Sequence, residues 1–328
     1  MTQQSSRVTA EDLHVAYTDG IQIYVRNRHP DGVAKFGVDR IVIMLHGATQ
    51  PGTTFDLPFA GKSWMDYMAE RGFDVYAMDL PGYGRSTRPA SMDAPADQNE
   101  PYMRGTEAVK ALGAVVDFVR ARRRVEKVNL VGWSWGATLT ATYTGLNQDK
   151  VARLALYAPV WKRTTPSLVK VDGKLGAYRV VNRDQALERW LTGVAEDKKK
   201  DLIPSGWFEL WADATFATDP KGGGKTLRAP NGIVADGLEF FGASPPKAYY
   251  DPARITSPTL LVVGEWDQDT PPYMVQTLYP LLTNAAWKRL TILSEGTHSI
   301  LMEKNRMLLI RTVQQFLEEP APTANATQ

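Results

Sequence analysis

The stretch Lys127-Val-Asn-Leu-Val-Gly-Trp-Ser-Trp-Gly136 constrains this chain more than any other. Val128, Leu130 and Val131 form a short apolar run that reads as a buried strand. The small residues Ala137 to Tyr143 that follow read as a helix. Between them the chain must reverse within Gly132-Trp133-Ser134-Trp135-Gly136, so sharply that a side chain at 132 or 136 would meet the neighbouring strand or helix. The turn lifts the Ser134 hydroxyl clear of the backbone and aims a helix N-terminus at it, where partial positive charge favours a developing anion. A serine between two glycines on a strand-to-helix turn is the setting of a nucleophile. Such a serine needs a base, an acid and an anion site.

The rest of the chain alternates strands with helices. Val15, Tyr17, Ile21, Ile23 and Val25 alternate with polar residues around Asp19-Gly20, which predicts a hairpin with a tight turn there. Ile41–Leu45 is apolar on both faces, as a parallel strand covered by helices must be. Further strands are expected at Phe73–Asp79, Val151–Ala158, Thr259–Val263 and Lys288–Leu293. Helices are expected over 104–124, 271–282 and 300–317. This rhythm predicts an α/β fold with a mainly parallel, doubly wound sheet, and chemistry at the carboxyl ends of its strands.

From 160 to 252 the rhythm stops and aromatic residues crowd together. A mostly helical lid insertion is predicted for 160–252, on a core of 8–159 and 253–318, with 1–7 and 319–328 as flexible tails. Half or more of the lid aromatics should form its own small core. Trp133, Trp161, Trp207, Trp211 and Phe241 are the candidates to line a substrate pocket.

Composition narrows the chemistry. A formal charge of +2 and the lack of a basic stripe argue against nucleic acid as a partner. With no cysteine, thiolate catalysis, disulfides and cysteine metal sites are excluded, and no metal or other cofactor is expected. Gly224-Lys225-Thr226 echoes a phosphate loop, but Asp219 stands where the first glycine belongs. No apolar run is long enough for a membrane span and no signal peptide is visible, so a cytoplasmic protein is expected. The oligomeric state is not legible. Arg120, Arg122, Arg123 and Arg124 are read as a solvated helix end rather than an anion site.

The base follows by elimination. The four histidines are His14, His29, His46 and His298, and only His298 follows Ser134. In an elbow of this kind the partners come in the order serine, acid, histidine. The acid should then come from Glu265, Asp267 or Asp269, after the strand at 259–263. Asp267 at the loop apex is preferred, with Asp269 as the alternative. Asp269 or Thr270 is the expected helix N-cap. The anion site needs two backbone N–H groups: Trp135, and Ala48 or else Thr49 from the loop after the first central strand.

His46-Gly47, Asp79-Leu-Pro-Gly-Tyr-Gly-Arg-Ser86, Gly132-Trp-Ser-Trp-Gly136, Gly264-Glu-Trp-Asp267 and Gly296-Thr-His298 together resemble the α/β-hydrolase superfamily. The resemblance implies a triad of Ser134, Asp267 and His298, an oxyanion hole of Ala48 and Trp135, and a lid between 158 and 259. Serine at the nucleophile place sets the chain apart from the haloalkane dehalogenase and epoxide hydrolase branches. The elbow is similar to that of prolyl iminopeptidases, although Ala48 stands where those enzymes have a second glycine. The layout also resembles monoalkyl phthalate ester hydrolases. The function expected is hydrolysis of small to medium carboxylic esters through an acyl-enzyme, including monoesters of aromatic acids. An aminopeptidase or amidase, and a non-catalytic binding protein on the same scaffold, are the alternatives. Lys162, Arg163 and Arg179 are noted as cations that could face a substrate carboxylate, although solvated surface charge is the expectation.

Overall fold

A computed structural model describes residues 7–18, 20–169, 171, 173–320 and 322. An eight-stranded sheet is built from β1 (Val8–Ala16), β2 (Gln22–Pro30), β3 (Ile41–Leu45), β4 (Asp74–Met78), β5 (Val128–Trp133), β6 (Val151–Tyr157) and two later strands, Thr259–Gly264 and Lys288–Leu293. Between β6 and these come β7 (Tyr178–Asn182) and β8 (Thr226–Pro230), which pair only with each other. The later pair are therefore β9 and β10. The sheet order is β1-β2-β4-β3-β5-β6-β9-β10. The pairings of β1 with β2 and β2 with β4 are antiparallel; every other pairing in this sheet is parallel.

Every residue of β3, β4, β5 and β9 is buried; β3 and Leu260–Val263 of β9 read as unbroken apolar runs for that reason, while β4 and β5 also bury the polar Asp74 and Asn129. Helices α1 (Trp64–Ala69), α2 (Gly105–Arg123) and α3 (Trp135–Leu146) belong to the sheet's crossovers. Val115, Val116 and Val119 of α2 and Leu139 of α3 are fully buried; each such side chain contributes about 1.5–3 kcal/mol. Arg120, Arg122 and Arg123 pair with Asp117, Glu11 and Asp74. They are a neutralised helix end.

Some boundaries differ from expectation. The hairpin turn is closed by the Ile21 N–H donating to the Thr18 carbonyl at 2.8 Å; Asp19 lies outside the described residues. His29 sits on β2. The expected helix over 271–282 is α-helical only at Tyr273–Leu278, followed by a 3-10 turn at Tyr279–Leu281. The expected helix over 300–317 is broken. A 3-10 turn at Ile300–Met302 gives way to extended backbone at Glu303, and the last helix is Arg306–Glu318.

The β6–β9 connection carries α4 (Arg183–Trp190), α5 (Glu196–Leu202), α6 (Trp207–Phe216) and α7 (Gly232–Asp236), together with the β7–β8 ribbon. The ribbon was not foreseen in a stretch expected to be mostly helical. Two later α-helices among the described residues are α8 (Tyr273–Leu278) and α9 (Arg306–Glu318).

Candidate active site

Ser134 sits between β5 and α3 with φ +59° and ψ −122°, a conformation that a residue with a side chain avoids. Two close approaches hold it there. A Cβ on Gly132 would lie 2.4 Å from Thr140 Oγ1, and one on Gly136 would lie 2.3 Å from the His46 carbonyl oxygen. The Ser134 N–H donates to the Tyr157 carbonyl of β6 at 2.8 Å, which fixes the bend to the sheet. Both glycines thus act as the sequence requires.

His298 follows β10, and Asp267 follows β9, its parallel neighbour. Strand adjacency therefore brings two residues 31 apart into contact: His298 Nδ1 lies 2.8 Å from Asp267 Oδ2. Asp267 is fully buried. Its carboxylate also accepts from the Thr270 N–H at 2.7 Å and the Thr270 hydroxyl at 2.8 Å. Burial of the imidazole opposes its charged form, but the neighbouring Asp267 carboxylate outweighs this and raises the His298 pKa above the ordinary histidine value. Asp269, the alternative acid, is taken by another partner: it accepts from Arg189 Nε of α4 at 2.9 Å. Nor is Asp269 or Thr270 the N-cap of α8, which is Pro272.

The backbone of His298 is anchored as firmly as its ring. Its carbonyl accepts from Trp133 Nε1 at 3.1 Å and from the Tyr157 hydroxyl. Those two side chains are stacked, with ring centroids 5.6 Å apart and planes 7° from parallel.

The two expected anion donors are free. Neither the Ala48 nor the Trp135 N–H donates to another group among the described residues. His46 explains the aim of the first. Its Nε2 accepts from the Leu80 N–H at 3.0 Å, so Nδ1 carries the proton and donates to the Gly47 carbonyl at 2.7 Å. Burial holds this ring neutral, with a pKa lowered to about 4. In a trans peptide the N–H points opposite to the carbonyl, so the Ala48 N–H points away from His46. The Ala48 carbonyl in turn accepts from the Tyr83 hydroxyl at 3.0 Å and from Arg179 Nη2 at 3.1 Å.

Two cavities, of about 450 Å³ and 520 Å³, share Ala48, Ser134, Arg179 and Arg189. His298 lines the first, together with Trp133, Trp190 and Trp211. The second is more aliphatic, with Val160, Ile233, Leu238 and Phe241. Trp133, Trp211 and Phe241 line one or other of these cavities. Trp161 and Trp207 do not. Trp161 is buried against the Tyr250 ring, and Trp207 packs on Phe59 and under Arg306, so both serve the core. Lys162 lies over the Trp161 ring and is likewise absent from the lining.

Arg179, for which solvated surface charge is the expectation, is instead half-buried and lines both cavities. Its guanidinium donates to the carbonyls of Ala48 and Pro230 and to Thr49 Oγ1, and no carboxylate pairs with it among the described residues. Burial lowers its pKa to about 10, which leaves it charged at neutral pH. Arg163 donates to the Asp269 carbonyl. The arrangement can hold a nucleophile, a histidine base with a fixed tautomer, and two N–H groups for an oxyanion.

A family model described as alpha/beta hydrolase fold matches residues 40–305. Among curated proteins, an epoxide hydrolase 3 of Siraitia grosvenorii is 25% identical over 163 residues, covering 49% of this chain and 43% of that one. An abhydrolase domain-containing protein, abhd-5.2, of Caenorhabditis elegans is 34% identical over 85 residues, covering 26% and 17%. The chain thus matches less than half the length of these relatives. Among solved structures, a serine hydrolase involved in carbazole degradation superposes with a TM-score of 0.60 at 18% identity, covering 94% of this chain and 99% of that one. The esterase EaEST from Exiguobacterium antarcticum gives 0.59 at 19% identity, with the same coverage. At these identities the structures speak for the fold.

Proposed function

The chain belongs to the alpha/beta hydrolase fold family, and from that premise we propose that it is a serine hydrolase of carboxylic esters. The observation that carries this reading is the 2.8 Å contact between His298 and Asp267, with His298 lining the same cavity as the strained Ser134. In this reading His298 takes the Ser134 proton as the hydroxyl oxygen attacks the ester carbonyl. Asp267 holds the imidazole in one tautomer and stabilises the imidazolium. The N–H groups of Ala48 and Trp135 receive the oxyanion, each such donor being worth about 2.7–4 kcal/mol in the transition state. The alcohol leaves with the proton from His298. Water activated by the same imidazole then releases the acid.

The charges around Ser134 support an ester over an amine-bearing peptide. The two cavities are lined by Arg163, Arg179 and Arg189, against Asp269 and Glu188. Asp269 is already committed to Arg189. A substrate ammonium would meet net positive charge there. An ester with a carboxylate of its own, such as a monoester of an aromatic diacid, would meet the unneutralised Arg179 and an aliphatic wall. The 160–252 segment, whose β7, α4 and α7 supply much of the lining, serves in this reading as the lid.

A chromogenic ester assay tests the reading. Wild-type protein should hydrolyse a short aryl ester, and Ser134→Ala should reduce this to background while remaining folded. Equal turnover by the two proteins would remove the enzyme reading and favour a binding protein.

A further inference from the structure

Glu303 is a fully buried carboxylate with no ion-pair partner among the described residues. The adjacent Lys304 pairs elsewhere, with Glu295 at 3.1 Å. Placing a lone carboxylate in a protein interior is costly unless its oxygens are well supplied with donors. Glu303 has three. Oε2 accepts from the Thr297 N–H at 3.1 Å, and Oε1 accepts from the Thr297 hydroxyl and from Trp190 Nε1 at 2.8 Å.

Those donors come from two separate segments. Thr297 immediately precedes His298. Its N–H is held by Glu303, while the His298 carbonyl is held by Trp133 and Tyr157. The backbone carrying the imidazole is therefore fixed on both sides. Trp190 belongs to another part of the molecule. It ends α4 and packs edge-on against Trp211 at 5.6 Å between ring centroids, beside the Ser134 cavity. One carboxylate thus joins the histidine loop to the segment that covers the nucleophile.

We propose that Glu303 is a positioning residue for His298, clamping the loop at Thr297 and tying it to Trp190 so that the imidazole is correctly placed when α4 is seated. This rests on the serine-hydrolase reading of the same site. An acceptor-only group suits this place. All three neighbours are donors, and a glutamine here would turn its own N–H₂ toward at least one of them.

The test is the rate at which a fluorophosphonate probe labels the protein, followed by intact mass. Labelling of wild type but not of Ser134→Ala upholds the hydrolase reading by itself; no labelling of wild type would sink that reading first. Given labelling, Glu303→Gln should react about 10- to 100-fold more slowly per labelled site, since misplacing a reacting group by about 1 Å has that order of effect. Its labelling endpoint should stay near that of wild type, and kcat for an ester should fall far more than KM changes. A lowered endpoint with an unchanged rate constant means that Glu303 only supports folding, and overturns the proposal. Should Glu303→Gln not fold, Thr297→Val deletes one donor with little change of volume, and Trp190→Phe deletes another while leaving a smaller ring in place. Wild-type rate constants in both would overturn the proposal; slowing in either supports it.

Discussion

Arg189, on α4, pairs with Asp269, two residues beyond the carboxylate that holds His298. The same segment reaches the other loops of the site. Arg179 on β7 donates to the Ala48 carbonyl, and Trp190 donates to Glu303 behind His298. The division of labour between two nearby aspartates follows. Asp267 faces inward to the imidazole, and Asp269 faces the guanidinium of Arg189.

Asp267→Asn should therefore cost kcat about 10⁴-fold, because an amide no longer selects the tautomer that accepts the serine proton. Asp269→Asn should cost no more than about tenfold, through loosening of α4. Steady-state kinetics on one aryl ester distinguish the two, and the reverse ranking would reassign the acid.

Relief of backbone strain offers a second check. Ser134→Gly removes the proposed nucleophile and also the side chain that makes φ +59° unfavourable. The variant should be inactive yet more stable, by about 1 kcal/mol or more, the cost typical of one residue in a sparsely populated conformation. Thermal unfolding of Ser134→Gly beside Ser134→Ala measures it, and a lower melting temperature for the glycine variant would contradict it.

The pH dependence carries a definite sign. His298 must be neutral to act as a base, and Asp267 raises its pKa above the ordinary histidine value. The acid limb of kcat/KM should thus have its midpoint above about 6.5. A midpoint below that value would speak against the His298–Asp267 pair in the working enzyme.

Stability should move in a related window. Burial raises Asp79 to about 6 and Glu303 to about 7, above their unfolded values. Between the unfolded and folded pKa the native state binds more protons than the unfolded chain. These groups contribute fully below the unfolded carboxylate range and lose that contribution as pH rises through the folded pKa. Buried His46, with its pKa lowered to about 4, contributes with the opposite sign up to about pH 6.5, so the check is a difference: from about pH 4.5 to 7 the denaturant midpoint of Glu303→Gln should rise relative to that of wild type.

Arg179→Met separates charge recognition from positioning. KM for an aromatic monoester bearing a free carboxylate should rise about tenfold or more relative to a neutral ester of the same length, about 1.4 kcal/mol or more of lost attraction. An equal change for both esters would assign Arg179 only to holding the Ala48 loop.

The elements that were legible are those governed by local pattern. The unbroken apolar runs of β3 and β9 follow from burial on both faces, and the elbow follows from Gly132 and Gly136. His298 was singled out because one histidine follows Ser134, and it lines the same cavity as that serine. What escaped depends on contacts between distant segments. Arg179 and Ala48 are 131 residues apart, and Trp190 and Glu303 are 113 apart. The break before α9 escaped for the same reason. The apolar periodicity runs on through 300–317, and it does not reveal that Glu303 turns inward to receive Thr297 and Trp190. A tryptophan in sequence carries no sign of its destination either, so Trp161 and Trp207 were counted with Trp211 although they fill the core.

The fastening of 178–190 to all three loops has a cost for traffic. If this stretch swings aside to let a molecule in, the oxyanion donors, the acid loop and the histidine loop lose an anchor in the same movement. Admission and reaction would then be successive postures of one body: open and slack, then shut and competent. In the serine-hydrolase reading, the serine would then meet a properly seated base only after its guest is inside.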